Sequence, residues 1–257
     1  MIQETEEITH VWLGSPSARV PPGELILVTD FDGTLAEVVP DPTAARARPE
    51  ALEALQELVM LLADVIVLSS RPLSQLESLV PISGVRLIGD SGLAPPRHAQ
   101  KEALDRFNAE AARLLQGIPG AWIEAKPAST AVHFRNTEMG GERMLVLLRP
   151  LLDGARLAAA LGRKVVEVHT PKAGKGSALA ALLPGEDPGG VVCFGDDEND
   201  RSLFEYVSAL DIPHFAVGVW SAEAPRDLFE RCDLVVAGPE GATQVLWEIV
   251  DWARKNS

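Results

Sequence analysis

Cysteine is scarce in this chain of 257 residues: Cys193 sits inside an apolar run, and the only other is Cys232. A secreted protein of this size more often carries several pairs, so both are read as reduced thiols and a disulfide scaffold is excluded. Long apolar stretches are missing as well. No run reaches the roughly 18 residues of a membrane span, and the opening MIQETEEITHVWLGSP has neither the basic start nor the apolar centre of a signal peptide. Basic charge is in deficit: 23 Lys and Arg face 37 Asp and Glu, a net charge of -14. So negative a surface repels nucleic-acid phosphates and anionic lipid headgroups. The expectation is a cytoplasmic protein with no nucleic-acid and no membrane partner, a monomer or weak oligomer acting on a small molecule. That molecule can itself be an anion, because a metal and a few placed Lys or Arg side chains invert the field inside one cleft.

What is present is ordinary globular material, 46% hydrophobic and 23% charged, enough for one large domain or two modest ones. The segment Glu24 to Thr29 is almost wholly aliphatic and β-branched between Pro21-Pro22-Gly23 and Asp30, which predicts a buried strand. A helix from Pro49 to Leu62, a strand from Val65 to Leu68, a short helix from Pro72 to Val80 and a strand from Val85 to Ile88 follow. Such alternation implies a parallel sheet with right-handed crossovers.

From about Leu93 to Thr170 the pattern changes. A helical stripe from Leu104 to Leu115 leads to a strand pair, Trp122 to Glu124 and Thr130 to Phe134, joined by a turn at Pro127. A helix from about Gly141 and a strand from Val165 to Val168 suggest one helix-strand-strand unit used twice. Ala155 to Leu161 reads either as helix or as one arm of a hairpin turning at Gly162-Arg163. The first pattern then resumes with helices from Gly176 and about Asn199, strands Val191 to Phe194, Phe215 to Val219 and Leu234 to Ala237, and a final amphipathic helix, Gly241 to Ala253. The fold class expected is α/β, a doubly wound parallel-sheet core (1–92 and 171–257) carrying an inserted smaller α/β cap (93–170).

The chemistry gathers at strand ends, where open α/β sheets place their ligands. Asp30-Phe31-Asp32-Gly33-Thr34 follows the first strand, two carboxylates with a glycine for the sharp turn. Ser69-Ser70-Arg71 follows the second, offering a hydroxyl and backbone N–H groups that also suit a plain helix cap. Lys175 stands before a helix of the resumed core. Gly195-Asp196-Asp197-Glu198-Asn199-Asp200 crowds four acids into five positions; a helix cap accounts for one or two of them, and a hard divalent cation accounts for all.

This ordered set resembles the haloacid dehalogenase superfamily of phosphatases, with an insert like the cap of its sugar-phosphatase branch. More narrowly, DFDGTLAE, VLSSRP, IGDSGL, IEAKPASTAVHFR, VVEVHTPKAGKGSAL and FGDDEND are similar, in order and spacing, to the trehalose-6-phosphate phosphatase family. The resemblance implies an Mg2+-dependent hydrolysis of trehalose 6-phosphate in which Asp30 is the nucleophile and Asp32 the general acid and base. Magnesium would be held by Asp30, the Asp32 backbone carbonyl and Asp196, supported by Asp200 and Asp197. Ser69 and Lys175 would grip the phosphoryl oxygens, with Gly33, Thr34 and Arg71 adding donors. In the cap, Glu124, Lys126 and Glu167, with the His133-Phe134-Arg135 string, would bind the sugar. The chain departs from the family at Asp90-Ser91-Gly92, where glutamate-histidine-glycine is usual, and at Asn199 and Arg201, usually threonine and glutamate. The same chemistry on sucrose phosphate, a glucosyl- or mannosyl-phosphoglycerate or a pseudo-sugar phosphate is the alternative, then a non-catalytic sugar-phosphate sensor.

Overall fold

The computed structural model describes residues 5–92, 98–126, 129–162, 164–169, 174–183 and 186–257. In chain order the first part runs α1 (Thr5–Gly14), β1 (Leu25–Thr29), α2 (Pro49–Leu61), β2 (Asp64–Leu68), α3 (Leu73–Leu79) and β3 (Arg86–Ile88). The middle part runs α4 (His98–Leu115), β4 (Trp122–Ala125), β5 (Ser129–His133), α5 (Gly141–Ala155), β6 (Ala158–Gly162) and β7 (Val165–His169). Then come α6 (Lys175–Leu182), β8 (Gly190–Gly195), α7 (Arg201–Val207), β9 (His214–Trp220), β10 (Leu234–Ala237) and α8 (Gly238–Asn256).

Six strands form a parallel sheet in the order β10-β9-β8-β1-β2-β3. Its central strands β1 and β8 are buried on both faces, which is why they read as continuous apolar runs. Alternate residues part cleanly between the two layers. Leu25, Leu27, Val65, Val67, Val192 and Phe194 face α1, α2 and α8, whereas Ile26, Val28, Ile66, Leu68, Val191 and Cys193 face α6 and α7. The chain leaves β1 toward β2 on one side and returns on the other as β8, so the order reverses between β1 and β8. Crevices at such a reversal are where doubly wound sheets bind ligands.

The second sheet is antiparallel, β4-β5-β7-β6. Its order places the two helix-strand-strand units back to back, with β5 against β7 in the middle. Val132, Val166 and Val168 point to one face and pack on Leu104, Phe107, Ala111, Met144 and Leu148 of α4 and α5. The residues between them, Trp122, Glu124, His133 and Glu167, therefore fall on the other face, toward the core. The architecture is the doubly wound core with an inserted α/β unit expected from the sequence. The boundaries drawn at 92/93 and 170/171, and the turns at Pro127 and Arg163, adjoin or lie in residues outside those described.

Three local features differ from or complete the sequence reading. Residues Thr5–Gly14, which carry only a short apolar pattern, form α1 because tertiary contacts supply what periodicity lacks: Ile8 and Trp12 are fully buried. Trp12 meets Phe215 and Trp252 edge-on at 5.3 and 5.2 Å, a geometry worth about 0.5–1.5 kcal/mol per pair beyond burial. The open segment Ala155 to Leu161 resolves into the end of α5 and most of β6. Arg156 turns left-handed (φ 55) and stops the helix, after which β7 recruits the alanines as an edge strand. The helix expected from Asn199 begins as a 3-10 turn, Glu198–Asp200, and becomes α-helical at Arg201. Among the described residues no helix is long and apolar enough to cross a membrane.

Candidate active site

The central ladder sets the site. Thr29 pairs with Phe194 at the ends of β1 and β8, and the Asp30 N–H donates to the Phe194 carbonyl at 3.1 Å. Asp30 and Asp196 are thus delivered by adjacent strand ends at nearly the same height. Gly33, at φ 82, is required by this approach, since a Cβ there would collide with the Asp196 carboxylate. Gly195 is constrained in the same way by Asp200.

Lys175 opens α6 and is 2% exposed. Its ammonium lies 2.6 Å from both Asp30 Oδ1 and Asp200 Oδ1. The second Asp200 oxygen accepts the backbone N–H groups of Asp196 (3.0 Å) and Asp197 (3.3 Å), while Asp197 Oδ1 accepts from the Asn199 N–H at 3.0 Å. That reciprocal cap employs Asp197 and Asp200 and leaves Asp196 outside it. Oxygens of Asp30, Asp196 and Asp200 lie within 4.8 Å of one another.

Burial pushes the Asp30 carboxyl up to about 7, Lys175 offsetting only part of the shift. Burial also works against the Lys175 charge, but the Asp200 and Asp30 carboxylates outweigh it and raise that pKa, so the ammonium persists. With Asp30 ionised, three buried carboxylates beside one ammonium leave two negative charges in excess. A divalent cation balances that excess, and a donor set of oxygens alone suits a hard one. The residues present therefore fit a hard divalent metal held by Asp30, Asp196 and Asp200.

Around this centre the second aspartate is gripped from the side. Arg71 Nε donates to Asp32 Oδ2 at 2.6 Å and its Nη2 to Oδ1 at 2.7 Å, a two-pronged pairing that also fixes orientation. Arg71 is itself held by the Pro42 carbonyl and the Gln75 amide oxygen and lies over the Phe31 ring. Burial works to lower the Arg71 pKa and the Asp32 hydrogen bonds raise it. Ser69 is buried at the end of β2, its Oγ accepting the Arg71 N–H at 3.2 Å. Thr34 is fully buried, and its Oγ1 has no hydrogen-bond partner among the described residues.

The inserted unit closes the cleft. Lys126 Nζ donates to Glu167 Oε1 at 2.9 Å and, across to the core, to the Ser70 carbonyl at 3.0 Å. His133 Nε2 lies 2.9 Å from Glu124 Oε2; this hydrogen bond, against the opposing effect of burial, holds the Glu124 carboxyl below its usual value. Between the two units lies a cleft lined by Asp30, Asp32, Arg71 and Lys175 from the core and by Glu124, Lys126, His133, Arg135 and Glu167 from the insert.

Residues 28–227 match the family model described as trehalose-phosphatase. The chain belongs to the trehalose-phosphatase family. It is 33% identical over 203 residues to the trehalose-phosphate phosphatase of Mycobacterium tuberculosis, covering 72% of this chain and 51% of that protein. The Mycobacterium ulcerans trehalose-phosphate phosphatase is 33% identical over 215 residues, 76% and 54% of the respective chains. The chain thus spans about half the length of the curated relatives it matches. Among solved structures, the C-terminal domain of C. albicans trehalose-6-phosphate phosphatase superimposes with a TM-score of 0.75 at 18% identity over 97% of both chains. The Synechocystis sucrose-phosphatase, solved with sucrose and phosphate, gives 0.58 at 17% identity over 89% and 98%. At such identities the likeness concerns the fold alone, a parallel-sheet core with a second, antiparallel-sheet unit.

Within this trehalose-phosphatase fold, the residues singled out from sequence come together from widely separated segments of the chain. Asp30, Asp32, Arg71, Glu124, Lys126, His133, Arg135, Glu167, Lys175, Asp196 and Asp197 all line the cleft. Gly33, Thr34, Ser69 and Asp200 are buried directly beneath the lining residues, Asp200 as a member of the acidic cluster. The Asp32 carboxylate is engaged by Arg71, a pairing the sequence did not suggest because 39 residues separate the two. Trp122 also lines the cleft, and sequence reasoning passed over it; the signal was its place two residues before Glu124 and four before Lys126, on the same strand face.

Proposed function

We propose that this protein is a magnesium-dependent phosphatase that hydrolyses trehalose 6-phosphate through an aspartyl-phosphate on Asp30. One observation carries the reading: the buried Asp30–Lys175–Asp200 array beside Asp196 opens into a cleft whose opposite wall is the polar face of the cap sheet. A phosphoryl group fits the first, and a polyhydroxylated leaving group the second.

In this reading Asp30 Oδ attacks phosphorus while Asp32 gives its proton to the departing sugar oxygen. Asp32 then takes a proton from water, whose oxygen attacks phosphorus and frees Asp30. A protonated Asp32 must give up one Arg71 hydrogen bond, so Arg71 orients the acid and yields as it works. Lys175, held charged by two carboxylates, offers its remaining donor capacity to the phosphoryl oxygens, and Thr34 brings a hydroxyl with no other partner among the described residues. Magnesium, when bound by Asp30, Asp196 and Asp200, supplies the positive charge that keeps Asp30 ionised and offsets the phosphoryl charge. Glu124, Lys126 and Glu167 hydrogen-bond sugar hydroxyls. Both cysteines are free thiols, which supports a cytoplasmic setting.

Phosphate release across trehalose 6-phosphate, sucrose phosphate, a glucosyl-phosphoglycerate and p-nitrophenyl phosphate, with magnesium and with chelator, tests the reading. Trehalose 6-phosphate should be favoured and chelation should silence all turnover. Asp30→Asn should be folded and inactive, because an amide cannot attack phosphorus. Turnover that survives chelation or Asp30→Asn would refute the aspartyl-phosphate route, and preference for another sugar phosphate would refute the substrate.

A further inference from the structure

Trp122 is a large apolar side chain left 44% exposed on a cleft face that it shares with Glu124, His133, Val165 and Glu167. Such exposure is informative where an ordinary surface leucine is not. The indole is fixed in place. It sits directly opposite His133 in the β4–β5 ladder and stacks on that imidazole, 4.0 Å between centroids and 14° between planes. His133 in turn is tied to Glu124, so one ring face is covered and the plane is held by a cross-strand pair and a hydrogen bond. The core contributes an apolar margin to the same cleft: Val38, Val39 and Pro40.

Position matters as much as chemistry. Trp122, Glu124 and Lys126 alternate along one strand face, and at a rise of about 3.3 Å per residue Trp122 stands about 13 Å from Lys126. Lys126 touches the core beside Ser69-Ser70. The indole therefore stands beyond the sugar that Lys126 can reach, next to a carboxylate that can accept hydroxyl hydrogen bonds. A rigid apolar plane edged by acceptors is complementary to a pyranose, which presents axial C–H bonds on its faces and hydroxyls around its rim.

We infer that Trp122 is a specificity-determining residue, a stacking platform for the second, unphosphorylated sugar ring of a disaccharide phosphate. The inference rests on the sugar-phosphate reading above and goes further, for it makes this edge-strand residue the part of the site that distinguishes a disaccharide from a monosaccharide.

The test compares Trp122→Ala and Trp122→Phe with the wild type on trehalose 6-phosphate, glucose 6-phosphate and p-nitrophenyl phosphate, and follows tryptophan emission during titration with trehalose. For Trp122→Ala the KM for trehalose 6-phosphate should rise about tenfold with kcat within about twofold, activity on the two smaller esters should be unchanged, and Trp122→Phe should recover most of the loss. The wild type should change its emission on adding trehalose and Trp122→Phe should not, a readout that a purely structural role would not move. An unchanged KM for trehalose 6-phosphate in Trp122→Ala, with the wild type active on it, would overturn the platform and leave the substrate reading standing. Equal losses on all three esters would likewise overturn it. A wild type inactive on trehalose 6-phosphate but active on p-nitrophenyl phosphate would overturn the substrate reading, and the platform with it.

Discussion

Replacing Lys175 with methionine keeps most of the side-chain volume and removes the ammonium that joins Asp30 to Asp200. Lys175 is 2% exposed and both its carboxylate partners are buried, so solvent cannot take over its role. Removing one partner of a buried ion pair costs about 3–5 kcal/mol, because the remaining charge is left uncompensated. In a chain of this size that lowers Tm by roughly 6–20 °C. The same reasoning gives Asp196→Asn the opposite expectation: it subtracts one of three mutually repelling carboxylates, so the metal-free protein should lose little stability or gain some. Guanidinium denaturation of both variants and the wild type in chelator reads the difference. Magnesium at a hundred times its dissociation constant should add about 2.7 kcal/mol to the wild type and much less to Asp196→Asn. A Lys175→Met protein as stable as the wild type, or an Asp196→Asn protein that falls as far as Lys175→Met, would refute this charge balance and make the cluster a packing and capping feature.

Two further expectations follow from the cap. Glu167→Gln leaves Lys126 with a weaker acceptor and a sugar hydroxyl without its carboxylate, so kcat/KM on trehalose 6-phosphate should fall about ten- to a hundredfold, while p-nitrophenyl phosphate, too small to reach the cap, is turned over as before; equal losses on both would make the pair purely structural. The Glu124 carboxyl lies below its ordinary 4.5 chiefly because His133 hydrogen-bonds it. Its contribution to stability is thus present above pH 4.5 and lost as pH falls through the lowered folded value. Acid unfolding followed by circular dichroism should show a stability loss below pH 4.5 in the wild type that is reduced in His133→Ala, and identical acid limbs would refute the coupling.

The alternation of buried strands and helices was legible in the core because a parallel sheet covered on both faces selects long aliphatic runs, as in Leu25–Thr29 and Gly190–Gly195. The acidic strings at the ends of those runs were legible for a related reason: the need for turn glycines and several carboxylates overrides ordinary loop composition at Asp30–Thr34 and Gly195–Asp200. Elements stabilised mainly by distant partners were not legible. Helix α1 depends on Phe215 and Trp252, more than 200 positions away, and β6 becomes a strand only because β7 presents a free edge to its alanines.

The sequence alone determined the class of fold, most of the order of its strands and helices, and the acidic strings that stand at the strand ends, since each of these is written in local composition. Tertiary structure alone decided which side chains share one space. It joined Lys175 to Asp30 and Asp200, turned Arg71 onto Asp32, and set the β4 face of Trp122, Glu124 and Lys126 opposite the strand ends of the core. Those pairings span tens to well over a hundred residues, and burial is what gives them their strength, by removing the water that would otherwise screen each charge and partner each hydroxyl.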